Sequence, residues 1–105
     1  MTPEGRVKEE VKKLLKEYGV YRFMPVQTGM GAPGLDFFCC YKGRFFAIET
    51  KTVGGRPTPR QRKTMDEIEA AGGATFLVDG GESLYALDKW LRDVDTVQRI
   101  LGRTS

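Results

Sequence analysis

The chain has 105 residues, enough for one small domain with a modest core. It contains no histidine, which excludes Ser-His-Asp triads, imidazole acid–base chemistry and His-ligated zinc. Lysine and arginine number 17 against 14 aspartates and glutamates, a net +3 that is compatible with a polyanionic partner but does not require one. Cys39 and Cys40 are neighbours in a strand-like run, so their side chains point to opposite faces. That argues against a bridge between them, and both read as reduced core filler in a cytosolic setting. No apolar run approaches the length of a membrane span, and the N-terminus lacks the apolar centre of a signal peptide. The expectation is a single cytoplasmic domain over residues 1–105, with 95–105 as a peripheral tail.

Thr2-Pro3 opens a helix, with Thr2 as N-cap and Pro3 at the first helical position. Val7, Val11, Leu14, Leu15 and Tyr18 form one stripe, and Gly19 stops the helix. At about 100° per residue the stripe lies within roughly 80° of Glu4, while Glu9, Glu10 and Glu17 lie roughly 120° or more away. Glu4 is then the inward-aimed acid of this helix, although an acid in a first turn is also favoured by the helix dipole. The lysines and Arg6 on the other side read as a solvated basic face. Tyr21–Val26 alternates weakly and reads as a strand. Gln27–Gly34 is a glycine-rich loop that either lets a phosphate backbone approach or is simply a turn.

Leu35–Tyr41 and Arg44–Thr50 are apolar and aromatic, and Lys42-Gly43 between them has the form of a two-residue hairpin loop. That loop pairs Tyr41 with Arg44 and, followed along both strands, places Asp36 opposite Glu49. Opposed residues share a face with Cβ atoms about 5 Å apart, and alternation adds Lys51 to the same face. Two opposed carboxylates on a buried sheet repel, so something must neutralise them. A divalent cation with hard oxygen ligands would do so, and so would a salt bridge from Lys51 at a solvated strand end. Both faces of the hairpin are apolar, so it should be central in the sheet and covered on both sides.

Thr58-Pro59-Arg60-Gln61 fits a capping box that starts a second helix. Gln61, Met65, Ile68 and Gly72 fall on one stripe, so Gln61 also faces the sheet. Arg56, Arg60, Arg62 and Lys63 cluster at this helix start, where an anion is electrostatically welcome and nucleic-acid contacts are expected. Gly72-Gly73 ends the helix, Ala74–Val78 is a short buried strand, and Leu84, Leu87, Trp90 and Leu91 lie on a final helix. A short helical continuation is expected beyond Asp95.

Asp36, then Glu49-Thr50-Lys51 after a hairpin-sized gap, resembles the motif of the PD-(D/E)XK nucleases. With Thr58-Pro59-Arg60-Gln61 and Gly72-Gly73 downstream, the chain resembles their VRR-NUC branch, in its small stand-alone form of phage and bacterial type, over roughly residues 2–78. In one departure, Leu35 stands where the motif has a proline, and Pro33 lies two residues earlier. The resemblance implies an α/β, restriction-endonuclease-like αβββαβ core with a mixed central sheet flanked by helices. It implies an endonuclease that hydrolyses phosphodiesters in DNA with Mg²⁺ or Mn²⁺. Asp36 and Glu49 would hold the metal, with Glu4 as an outer ligand and the Thr50 carbonyl as a further one. Lys51 would orient water or offset developing charge, and Gln61 would sit near the scissile phosphate. Single-domain relatives resemble junction resolvases, so Holliday-junction-type branched DNA and a homodimer are expected. The alternative is a non-catalytic nucleic-acid-binding or assembly module that keeps the fold.

Overall fold

The computed structural model describes residues 1–26 and 34–102. The elements follow in the order α1 (Pro3–Tyr18), β1 (Tyr21–Phe23), β2 (Phe37–Tyr41), β3 (Arg44–Thr50), α2 (Pro59–Ala70), β4 (Ala74–Val78) and α3 (Gly81–Gly102). The hairpin sets the frame. Lys42 and Gly43 both take positive φ, 52° and 81°, the turn whose twist matches that of the flanking strands. The ladder then runs from Tyr41↔Arg44 to Phe37↔Ile48, the pairing expected from the loop length. β1 adds antiparallel to β2 and β4 adds parallel to β3, which gives a mixed sheet in the order β1-β2-β3-β4 with the hairpin in the middle.

α1 begins where Thr2 Oγ1 accepts the Gly5 N–H at 3.0 Å, and it ends at Gly19 with φ 74°. α1 and α3 cover one face of the sheet, with Val11, Leu15, Phe37, Phe46, Ile48, Leu87 and Leu91 in the main core. Phe46, Phe76 and Trp90 pack there with ring centroids 4.9–5.9 Å apart. α2 covers the other face through Met65 and Ile68 on Leu35, Ala47 and Phe38. Among the described residues, no helix is long and apolar enough to cross a membrane.

Two expectations need correction, and one falls outside the described residues. β1 is three residues long and does not reach Val26; Pro25 has no N–H to give to a ladder. The loop expected over Gln27–Gly34 lies, except for Gly34, outside the described residues. The α2 face of the hairpin is not fully covered: Tyr21 and Phe45 are 68% and 44% exposed, and Cys40 between them is exposed too. α2 lies over β3 and β4, so the β1 side of this face stays open. Cys39 is therefore core, with burial pushing its thiol up to about 12, whereas Cys40 is not. The helical continuation expected beyond Asp95 is present: it joins α3, which runs unbroken to Gly102, and Asp95–Arg99 bridges the join as an i,i+4 pair.

Gly73 seats the end of α2 against β3. A Cβ there would meet Ile68 Cγ2 at 2.8 Å, with the Ile68 and Phe45 carbonyls at 3.3 Å. Gly73→Ala should therefore lower stability by about 1–3 kcal/mol, seen as a lower urea midpoint at unchanged m. An unchanged midpoint would show that α2 is not held this closely.

Candidate active site

The site lies where β3 ends between β2 and β4. Lys51 donates its N–H to the Val78 carbonyl at 3.0 Å, so Thr50, one residue earlier, aims its backbone groups at the opposite edge. There the Thr50 N–H and hydroxyl both donate to Asp36 Oδ2, at 2.9 and 2.6 Å. The Thr50 carbonyl shares that edge. Asp36 Oδ1 lies 3.4 Å from the Lys8 ammonium on α1.

Asp36 does not follow the alternation extrapolated from the hairpin. The ladder stops at Phe37↔Ile48, and Asp36 occupies a bend just before β2. Leu35 drops into the α2-side core with Ala47 and Met65, fully buried, while the Asp36 carboxylate turns toward α1 and Thr50. The physical reason is clear. Strict alternation would set two carboxylates face to face on a buried surface and take Leu35 out of that core. The bend buries Leu35 and gives Asp36 three donors. It stands at the point where the sequence has Leu35 in place of the motif's proline.

Glu49 stays on the α2 face and is only 4% exposed. Its Oε2 accepts from Gln61 Nε2 at 2.8 Å and lies 3.4 Å from the Lys51 ammonium. Its Oε1 is buried and has no hydrogen-bond partner among the described residues. Burial first, then the negative charge of nearby Asp36, pushes the Glu49 carboxyl up to about 7, against the opposing pull of Lys51. Gln61 closes the capping box expected for it and also faces the sheet, where it meets Glu49. Its Oε1 accepts the Thr58 N–H at 2.9 Å and closes the capping box, while its Nε2 reaches Glu49.

The loop after β3 folds back over Lys51. A Cβ on Gly55 would lie 2.9 Å from Lys51 Cβ, so only glycine fits there. The Gly54 N–H donates to Asp79 Oδ2 at 3.2 Å, and Ser83 donates to Asp79 Oδ1 at 2.8 Å, which ties this loop to the end of β4. Arg56, Arg60, Arg62 and Lys63 are exposed around the start of α2. Arg62 is drawn along the helix to Asp66, 3.3 Å away, and toward Glu69.

Glu4 is not brought into the cluster; it is exposed, and Lys8, one turn on, is the α1 side chain that arrives. Sequence reasoning placed Lys8 on a solvated face. Its signal was available, because a residue four positions after Glu4 lies only about 40° from it. Among the described residues, no group of three His, Cys, Asp or Glu side chains converges to hold a metal. The oxygens that could do so are those of Asp36, Glu49 and the Thr50 carbonyl.

The raised Glu49 carboxyl predicts a pH signature. Between about pH 4.5 and 7 the folded state keeps a proton that the unfolded state has released. Stability therefore falls as pH rises through this window, by roughly 3 kcal/mol in all, and the loss is complete above it. In the presence of a chelator, urea midpoints should fall from pH 5 to 8 for the wild type and stay flat for Glu49→Gln. A wild-type midpoint that rises over this range would contradict the burial argument.

No family model and no curated protein sequence matches the chain. A solved structure described as "VRR_NUC domain" does, with a TM-score of 0.63 and 22% sequence identity, over 94% of this chain and 97% of that one. The chain thus has the VRR-NUC fold, the small α/β arrangement of a mixed four-stranded sheet flanked by helices that Asp36, Glu49-Thr50-Lys51 and Gln61 imply.

Proposed function

We propose that the chain is a VRR-NUC nuclease of the PD-(D/E)XK superfamily, an endonuclease that hydrolyses phosphodiester bonds in DNA with Mg²⁺ or Mn²⁺. One observation carries this reading: a buried carboxylate oxygen, Glu49 Oε1, with no hydrogen-bond partner among the described residues, beside Asp36 and Lys51 at a sheet end. A fold that only needed stability would not retain such an atom, because leaving it unsatisfied costs about 1–3 kcal/mol or more. The donor set also fits. Asp36, Glu49 and the Thr50 carbonyl are hard oxygens, and Mg²⁺ commonly takes one or two carboxylates and fills the remainder with water and substrate phosphate. Glu4, on the same face of α1 as Lys8, is the acid that would approach from outside. When bound, the ion would supply a water of lowered pKa and offset charge on the phosphoryl oxygens.

The chain's own residues do the rest. Lys51 is fixed through its backbone to β4 and packed by Gly55, so its ammonium is a preorganised charge for the transition state. Gln61, already anchored at Thr58, holds Glu49 in place and would position water or phosphate. Arg56, Arg60 and Lys63, with Arg62 when released from Asp66, would follow the DNA backbone. The unit is the single domain 1–105 with its end peripheral, acting in the cytoplasm as a homodimer whose two-fold suits the paired strands of a Holliday-type junction. The second reading is a non-catalytic DNA-binding or assembly module. It is favoured by the fact that Lys8, Lys51 and Gln61 already pair both acids without metal.

A panel of junction, flap, nicked and plain duplex DNAs with Mg²⁺ and Mn²⁺ separates the two. Cleavage is expected, strongest on the junction, and it should be abolished by Asp36→Asn. Lys51→Ala should keep DNA binding within a few-fold and lose about 10²–10³ in rate. Binding of junctions by the wild type with no cleavage of any substrate would sink the enzyme reading in favour of the binding module.

A further inference from the structure

Asp36 offers its two oxygens very differently. Oδ2 is held by the Thr50 N–H and by the hydroxyl of a Thr50 that is fully buried, so it is committed to the scaffold. Oδ1 is the oxygen left to face a cation, and Lys8 stands on it at 3.4 Å. That distance is longer than the roughly 2.7–2.9 Å of a tight charge-assisted hydrogen bond. The Lys8 side chain is 32% exposed, compared with 19% for Lys51, and a flexible four-carbon stem carries its ammonium. It can swing into water with no change in the backbone. With Glu49 ionised, the charges of Asp36, Glu49, Lys8 and Lys51 sum to zero, so Lys8 balances the second acid of the site.

We infer that Lys8 is the resident counter-ion of this site. It occupies Asp36 Oδ1 in the metal-free protein and must be exchanged for the divalent cation, so that it sets how tightly metal is held. This rests on the proposed metal-dependent reading and adds a positioning residue to it. The VRR-NUC motif residues do not include Lys8; only the fold brings it to Asp36. Its effect on metal runs opposite to that of the acids, since removing it should strengthen binding.

The test is a titration of chelator-stripped protein with Mn²⁺ in the absence of DNA, with free Mn²⁺ read by electron paramagnetic resonance. Lys8→Ala and Lys8→Met should bind Mn²⁺ roughly 3–5-fold more tightly than wild type, the upper scale of one partly exposed ion pair. Lys8→Arg keeps the charge and should stay within about two-fold of wild type. Lys12→Ala removes a cation one turn along that pairs with Glu9 and not with the site, and it should change nothing. Lys8→Met retains the aliphatic stem and decides the matter if the alanine variant folds poorly. Wild-type affinity, or weaker, in both Lys8 variants overturns the inference while leaving the metal reading intact. Failure of the wild type to bind Mn²⁺ overturns the metal reading, and this inference with it.

Discussion

A buried carboxylate at the end of the central strand is the constraint around which this structure is arranged. Glu49 is 4% exposed and carries one oxygen with no partner among the described residues. In an apolar setting such a charge is costly, and burial together with the Asp36 charge holds its carboxyl near 7. The neighbouring structure reads as a set of responses. Lys51, next on the same face by strand alternation, sets its ammonium beside Glu49, Gln61 reaches it from the first turn of α2, and Asp36 is turned off the shared face by a bend. Local conflict of this kind is what a functional site leaves in an otherwise consistent fold.

The same residues tie the site to the fold. The Gln61 side chain bonds both the start of its own helix and Glu49, so the position of α2 and the orientation of the carboxylate are one variable. Gly73 fixes the far end of α2 close to β3, and Gly55 allows the intervening loop to lie on Lys51. Asp79 ties that loop to β4 through Gly54, and Ser83 ties Asp79 to the start of α3. Of these contacts, those of Gly54, Gly55, Asp79 and Ser83 lie outside the motif residues, yet they hold the loop that carries Lys51 out of the sheet.

Much of this was legible because it depends on local chemistry. Lys42-Gly43 dictates a two-residue turn, and the turn dictates the register from Tyr41↔Arg44 to Phe37↔Ile48. Thr58 with Gln61 dictates a capping box. What failed depends on competition between distant groups. Alternation extended one residue too far at Asp36, because burial of Leu35 and the donors of Thr50 outweigh a regular pleat. Lys8 was read as surface because its partner comes from another element. Cys40 was placed in the core because an apolar strand gives no sign of how far one short helix reaches across it.

Lys8 and Lys51 each stand 3.4 Å from one of the two acids, yet their supports differ in a way that bears on what each can do. Lys51 leaves the sheet with its N–H still bonded to Val78, and Gly55 lies against the base of its stem, so its side chain starts from a fixed point. A charge fixed in that way need not reorganise when the charge on a substrate changes, which is the condition under which electrostatic stabilisation is strongest. Lys8 projects from α1 with its ammonium held by one oxygen, so keeping it there costs side-chain entropy that release returns. Similar distances therefore do not imply similar roles: on the proposed reading the firmly based lysine would serve the transition state and the loose one would exchange.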